Sequence, residues 1–394
     1  MKENYDELRN PTNSSLTDEL VDELYQIDWN FPSAAKIDDA LLAFGAHPGE
    51  RRTRNEDRVA VAKISSINGQ GYVVAIVCDG VGGLEAGDMA ASTAISACVS
   101  HIAKCQYVYP IKELLPRAIR AMDDSVRKAL GGRGATTACV VLISSAGDFA
   151  ATSIGDSRIF SWDINQKKLD QVSVDDTLEN ELRKIRNADL SMLKQRGIGG
   201  SLSQALGESG RTSEDLNIII HDRDSFSDGM VMASDGVWKV SLEAFKAVVV
   251  NSSNALDAVR RVLATSSWMG GIDNAAIITI KDIATLQDWA KDTKENRTKG
   301  GFTLWFGDTK LVRRGPFEPD NENPGRQDSP ESGPNKFKNK SRKPATNKFH
   351  TITQKKQRIQ LEIDVDSRPV QKKSAEAKDT TEIEDNTRPT QRNK

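Results

Sequence analysis

Residues 72–83 read YVVAIVC, then Asp79-Gly80-Val81-Gly82-Gly83: an apolar run rich in β-branched residues that stops at an acid among glycines. A run this short and this apolar is expected to be a strand buried on both faces, and Asp-Gly is where such a strand turns out into a loop. The pattern recurs. MVMAS (230–234) runs into Asp235-Gly236, and Asp273-Asn274 stands immediately before AAIITI (275–280). Each carboxylate is thus placed at a strand end, where the loop exposes it and the sheet holds it.

Around these anchors, further β-branched runs predict strands at 41–47, 58–64, 135–143, 149–154 and 158–162. Two helical patterns interrupt them. One covers about 87–104, with Ala90, Ala91, Ala94, Ile95, Cys98, Val99 and Ile102 at three- and four-residue spacing; the other covers about 111–130, with Leu115, Ala118, Ile119, Met122 and Val126 on one face. Two helices in succession between groups of strands do not make a regular β-α-β-α alternation, and the fold class that follows is α+β, a sandwich of sheets covered by helix pairs.

The chain has 394 residues, 54 Lys+Arg against 56 Asp+Glu, and 38% hydrophobic residues, the composition of a globular protein and not of a nucleic-acid binder. The charge is unevenly spread: 30 basic against 40 acidic residues over 1–290, and 24 against 16 over 291–394. Three regions follow: an acidic extension (1–40), a domain (41–285), and a linker with a basic, mostly disordered tail (286–394). The extension carries one amphipathic helix pattern, Leu16, Leu20, Val21, Leu24 and Ile27, and reads as an appendage. The tail holds 8 of the 13 prolines and little apolar patterning, so disorder is expected from about residue 313. An aromatic island, GFTLWFGDTKLV (301–312), either packs back on the domain or docks a partner protein, and its Trp and Phe anchors favour docking. No run is long enough to span a membrane and the first residues lack a signal-peptide apolar region, so a cytoplasmic protein without membrane contact is expected. Cys78, Cys98, Cys105 and Cys139 lack paired spacing and read as buried thiols. The four His residues show no metal or triad spacing.

Asp79, Asp235 and Asp273 together make a candidate oxygen-ligand set for a hard divalent ion such as Mg²⁺ or Mn²⁺. Glu56-Asp57 enters another strand and follows Arg51, Arg52 and Arg54. Carboxylates that hold metal beside an arginine that clamps oxygens bidentately are what phosphate chemistry requires.

Arg52 to Asp57 (RTRNED), DGVGG (79–83) with EAGDMAA, GATTA (134–138), GDSR at Asp156, LSQALG (202–207), SDGVW (234–238) and DNA (273–275) occur in one order. In that order they resemble the successive motifs of the type 2C, or PPM-type, metal-dependent serine/threonine protein phosphatases. The resemblance implies a four-layer α-β-β-α sandwich with two central antiparallel sheets flanked by helix pairs. It implies that Asp79 bridges two Mn²⁺ or Mg²⁺ ions, that Glu56 and the Gly80 carbonyl serve one and Asp235 and Asp273 the other, and that Asp156 with Asp235 supports a weaker third. Asp57 would hold metal-bound water, and Arg52 the phosphate. GDSR can also be read as a structural turn whose Asp and Arg pair with each other. Hydrolysis of phosphoserine or phosphothreonine in a protein substrate would proceed by direct attack of a metal-bridging water, opposing a Ser/Thr kinase. Val81 stands where many eukaryotic members carry His, and an apolar residue there is common in bacterial-type members. Residues 176–200 fall where the family has a flap beside the site. A rival of another class is a catalytically silent adaptor that binds a partner through 301–312.

Overall fold

Apolar β-branched runs become strands buried on both faces in the computed structural model, which describes residues 15–81, 86–185, 198, 200–291 and 298–315. In chain order the strands are β1 (Ser33–Ile37), β2 (Leu42–His47), β3 (Arg58–Ser65), β4 (Gly71–Cys78), β5 (Ala138–Ser144), β6 (Phe149–Ile154), β7 (Arg158–Asp163), β8 (Lys168–Gln171), β9 (Gly229–Ala233), β10 (Ala275–Ile280), β11 (Phe302–Phe306) and β12 (Thr309–Arg313). They form two 6-stranded antiparallel sheets, ordered β1-β2-β10-β9-β7-β8 and β12-β11-β3-β4-β5-β6. The helices are α1 (Leu16–Gln26), α2 (Gly87–Ala103), α3 (Ile111–Leu130), α4 (Leu178–Lys184), α5 (Asp235–Trp238), α6 (Leu242–Val250), α7 (Ala255–Trp268) and α8 (Ile283–Lys291).

Alternation along the strands divides the interior in two. Phe44, Met230, Met232 and Ile278 turn into the core shared with the second sheet and α1–α3. Their neighbours Ala43, Val231, Ala233 and Ile277 pack with Phe245, Val249, Val259 and Val262 of α6 and α7. The layers are therefore α2/α3, second sheet, first sheet, α6/α7, as the resemblance implies. The helix pair α6/α7 was not read from sequence, although Ser241 and Asn254 cap the two helices by accepting from the backbone N–H of Ala244 and Asp257.

Three expectations from sequence are corrected. Of the expected extension 1–40, the described residues 15–40 are no appendage: Leu16, Leu20, Val21 and Leu24 are buried in the main core, and β1 pairs with β2. The apolar stripe of α1 finds its cover on α2, which is buried nearly all round. Of the two readings of the island 301–312, packing back on the domain is the one seen, against the docking that its anchors favoured. β11 pairs with β3 from Phe302↔Ile64 to Phe306↔Ala60, and Phe302, Leu304 and Phe306 are fully buried. An extended segment with apolar residues at alternate positions satisfies its backbone and its side chains together by adding to an open sheet edge. Residues 286–291 likewise belong to α8 and not to a linker. Of the tail expected to be disordered from about residue 313, Arg313 ends β12, and residues 316–394 lie outside the described residues. Among the described residues, no helix is long and apolar enough to cross a membrane.

Candidate active site

The end of β4 is held by backbone and hydroxyl bonds before any side chain is considered. Asp79 donates its N–H to Thr137 Oγ1 (3.1 Å), and its carbonyl accepts from Thr137 N (2.8 Å) and Thr136 Oγ1 (2.9 Å). Thr136 in turn exchanges backbone bonds with Leu206 (2.8 and 3.0 Å). The GATTA and LSQALG segments therefore act as a clamp on Asp79. Gly80 comes so close to the loop after β4 that a Cβ would lie 2.5 Å from the backbone of Gly87 and 2.8 Å from the Glu56 carbonyl. The 49–57 loop, the end of β4 and the start of α2 can converge only without a side chain there.

Asp235 and Asp273 meet by the same device. A Cβ on Gly236 would lie 1.9 Å from the Asn274 carbonyl oxygen, so glycine lets the turn after β9 pass against the residue that enters β10. Asn274 then ties this pair to the Arg52–Asp57 loop: its Nδ2 donates to the carbonyls of Pro48 (2.6 Å) and Arg54 (3.0 Å), and its Oδ1 accepts from Glu56 N (2.9 Å).

These loops enclose a cavity of about 770 Å³, whose lining includes Arg52, Glu56, Asp79, Gly80, Val81, Asp156, Asp235, Lys239 and Asp273. Asp57 lies behind the wall, 1% exposed, accepting from Ser234 Oγ at 2.7 Å. The residues to which the resemblance gives a site role, Arg52, Glu56, Asp57, Asp79, Gly80, Asp156, Asp235 and Asp273, thus stand in or against one cavity. Arg52 Nη2 reaches Asp273 Oδ2 at 2.8 Å, whereas Arg54 turns to Asp88 at 3.6 Å. In GDSR the acid and the arginine do not pair: Arg158 forms a bidentate bridge to Asp175 (3.0 and 2.7 Å) and stacks on Trp238, while Asp156 lines the cavity. Of the flap segment, Asp176 accepts from Gly155 N (3.0 Å) and Gln204 Nε2 (2.7 Å), and Gly200 lines the cavity, as do Ser201 and Leu202 just after it. Residues 186–197 and 199 lie outside the described residues, as do Gly82 and Gly83.

Three participants carried no recognised signal in the sequence. Lys239, one helical turn after Asp235, places Nζ 2.5 Å from its Oδ2; the i,i+4 spacing was the available clue. Asn274 was noted only as the neighbour of Asp273. Asn55 bonds the backbone N–H of Asp57 through Oδ1 (3.1 Å).

Electrostatically the cavity is an overload of acid. Burial, reinforced by Asp57 and Asp235, pushes the Asp79 carboxyl well above its usual range. Burial, with Asp235 and Asp273 adding to it against the Ser234 hydrogen bond, raises Asp57 to about 8. Asp156 rises to about 6 through burial and the Asp235 charge, opposed by Lys239. Glu56 is raised by burial and by Asp88. Among the described residues, no three His, Cys, Asp or Glu side chains are drawn into a closed ligand set; the carboxylates line an open wall, with the Arg52 and Lys239 cations resting on two of them. An all-oxygen donor set with surplus negative charge and internal cations already drawn to it fits hard divalent ions.

Known proteins share this arrangement of sequence. The family model described as Protein phosphatase 2C matches residues 45–268. The protein phosphatase PhpP of Streptococcus pneumoniae is 23% identical over 240 residues, covering 59% of this chain and 93% of that protein. The serine/threonine phosphatase stp of Listeria monocytogenes is 23% identical over 248 residues, covering 60% and 94%. Among solved structures, the Streptococcus agalactiae serine/threonine phosphatase superposes with a TM-score of 0.50 at 20% identity, covering 60% of this chain and 97% of that one. With the family model covering more than half of the residues, the chain belongs to the protein phosphatase 2C family.

Proposed function

We propose that the protein hydrolyses phosphoserine and phosphothreonine in protein substrates at this cavity, with two Mn²⁺ or Mg²⁺ ions and a weaker third. The observation that carries the reading is the convergence of Glu56, Asp79, Asp156, Asp235 and Asp273 on one wall with Arg52 at its edge. Asp79 and the Gly80 carbonyl with Glu56 would hold one ion, Asp79 with Asp235 and Asp273 the second, and Asp156 with Asp235 the third. Ions held there supply Lewis acidity and an activated water near neutral pH.

The chain's own residues do the rest. Arg52 offers a planar fork to the phosphoryl oxygens, and its bond to Asp273 keeps that fork at the cavity edge until a phosphate competes for it. Asp57, fixed by Ser234, is placed to hold and orient water from behind Asp79. Val81 offers no proton to the leaving seryl or threonyl oxygen, so that oxygen would take its proton from metal-bound water or leave less assisted. A silent adaptor would not be expected to keep the full acid set, and the island it would use is inside the sheet. We place the reaction in the cytoplasm, where a Ser/Thr kinase would be its natural counterpart.

The purified full chain with Mn²⁺ is expected to hydrolyse p-nitrophenyl phosphate and a phosphothreonine peptide. Hydrolysis no faster than that of Asp79→Asn would overturn the reading.

A further inference from the structure

The loop that presents Glu56 and Asp57 is held on one side by Asn274 and Gly80, inside the family domain. On its other side it is held by residues that precede the family match, which begins at residue 45. After α1 the chain makes a turn at Trp29-Asn30. Trp29 is 4% exposed, and its Nε1 donates to the Leu24 carbonyl (2.8 Å), fastening the turn to the last turn of α1. From this turn two groups reach Asn55: the Trp29 carbonyl accepts from Asn55 Nδ2 (2.9 Å), and Asn30 Oδ1 accepts from Asn55 N (3.0 Å). Trp29 also lies under the Arg58 guanidinium, 4.9 Å from the ring centroid. Arg58 in turn donates to the carbonyls of Asn55 (2.7 Å) and Asp57 (2.9 Å) and to Ser92 Oγ (3.1 Å).

Asn55 is therefore a pin. Its N–H and Nδ2 face the extension, its carbonyl faces Arg58, and its Oδ1 holds the N–H of Asp57. We infer that the Trp29–Asn30 turn positions the Glu56–Asp57 loop for the cavity's chemistry, which makes the N-terminal segment a working part of the active site. The inference rests on the reading of the cavity given above. Among the described residues the turn's hydrogen bonds to this loop go to Asn55 and not to Glu56 or Asp57, so Trp29 and Asn30 act through Asn55 as positioning residues. Polar groups that hold a ligand's own support are worth about 10- to 100-fold in metal affinity or activity.

Asn30 is exposed, so truncating it opens no cavity, and it isolates the bond to Asn55. In the full metal-free chain, Asn30→Ala is expected to speed amide exchange of the 55–58 segment about fivefold, the worth of one lost hydrogen bond, with β4 and β5 unchanged. With Mn²⁺ present, the concentration needed for half-maximal hydrolysis should rise about tenfold with little change in KM. Asn30→Asp, which keeps the acceptor, should restore both. Asn254→Ala removes a cap of comparable kind from α7 and should lower the melting temperature without moving either readout. Unchanged exchange in Asn30→Ala would overturn the inference, as would an equal loss in Asn30→Asp or in Asn254→Ala. Because exchange is read without metal or substrate, it decides the positioning role even if the wild type turns over no phosphoester, which would instead sink the proposed reaction.

Discussion

Among the described residues, Arg52 and Lys239 are the two cations lining the acidic wall, and they are not equivalent. Arg52 offers parallel donors that match phosphate, so Arg52→Ala is expected to lower kcat/KM roughly a hundredfold, with Arg52→Lys recovering only part of the loss. Lys239 sits on Asp235, where a divalent ion would compete for the same carboxylate. Lys239→Ala should therefore tighten Mn²⁺ binding by calorimetry while raising KM for the phosphoester. Asp57 supplies a pH test. Its folded value of about 8 lies above its ordinary 3.8, because burial and neighbouring carboxylates favour the protonated form. The folded, metal-free protein thus keeps a proton that the unfolded chain gives up. The stabilisation is complete below about pH 4 and is lost as the pH rises through about 8. In chelator, the melting temperature is expected to fall between pH 6 and 9, and Asp57→Asn should flatten that fall. A wild-type profile that rises over this window would contradict the assignment.

Between elements, the close passage of the β9 turn against the entry to β10 is the joint on which the acid set depends. Gly236→Ala places a methyl carbon 1.9 Å from the Asn274 carbonyl oxygen. Backbone cannot move aside as a flexible side chain can, so a loss of about 1–3 kcal/mol or more in stability is expected by urea denaturation, together with weaker Mn²⁺ binding. This joint also marks the limit of what could be read beforehand. The strands that carry Asp79, Asp235 and Asp273 were visible as apolar runs ended by Asp-Gly or begun after Asp-Asn, because burial on both faces is written locally. The faces of α2 and α3 were visible for the same reason. What the runs do not encode is pairing across long separations: Phe302 with Ile64, Asn55 with Trp29 and Asn30, Glu56 with Asn274. The stripe of α1 was read correctly, yet its partner, an Ala- and Ser-rich helix lacking a polar face, could be found only once α2 was seen to need a second cover.

Over the whole molecule, the two ends of the described chain meet. β12 closes the second sheet, and its last residue, Arg313, reaches back to Glu23 (3.3 Å) and Glu19 (3.8 Å) on α1. The hairpin, the N-terminal helix and the Glu56–Asp57 loop are thus linked in series through Arg313, α1, the Trp29 turn and Asn55, although only the last lies within the family match. The domain that folds is longer than the motifs delimit, and truncation measures by how much. A chain ended after Gly315 keeps both sheets of the described structure and is expected to melt with the full-length protein. A chain ended after Lys291 leaves the edge of β3 open and removes Phe302, Leu304 and Phe306 from the core. At roughly 1.5–3 kcal/mol for each large apolar side chain buried, that loss is a large part of the stability of an ordinary domain. The shorter chain is therefore expected to melt well below the longer one and to associate through the freed strand edge. Equal melting temperatures for the two truncations would mean that the hairpin contributes nothing to the fold.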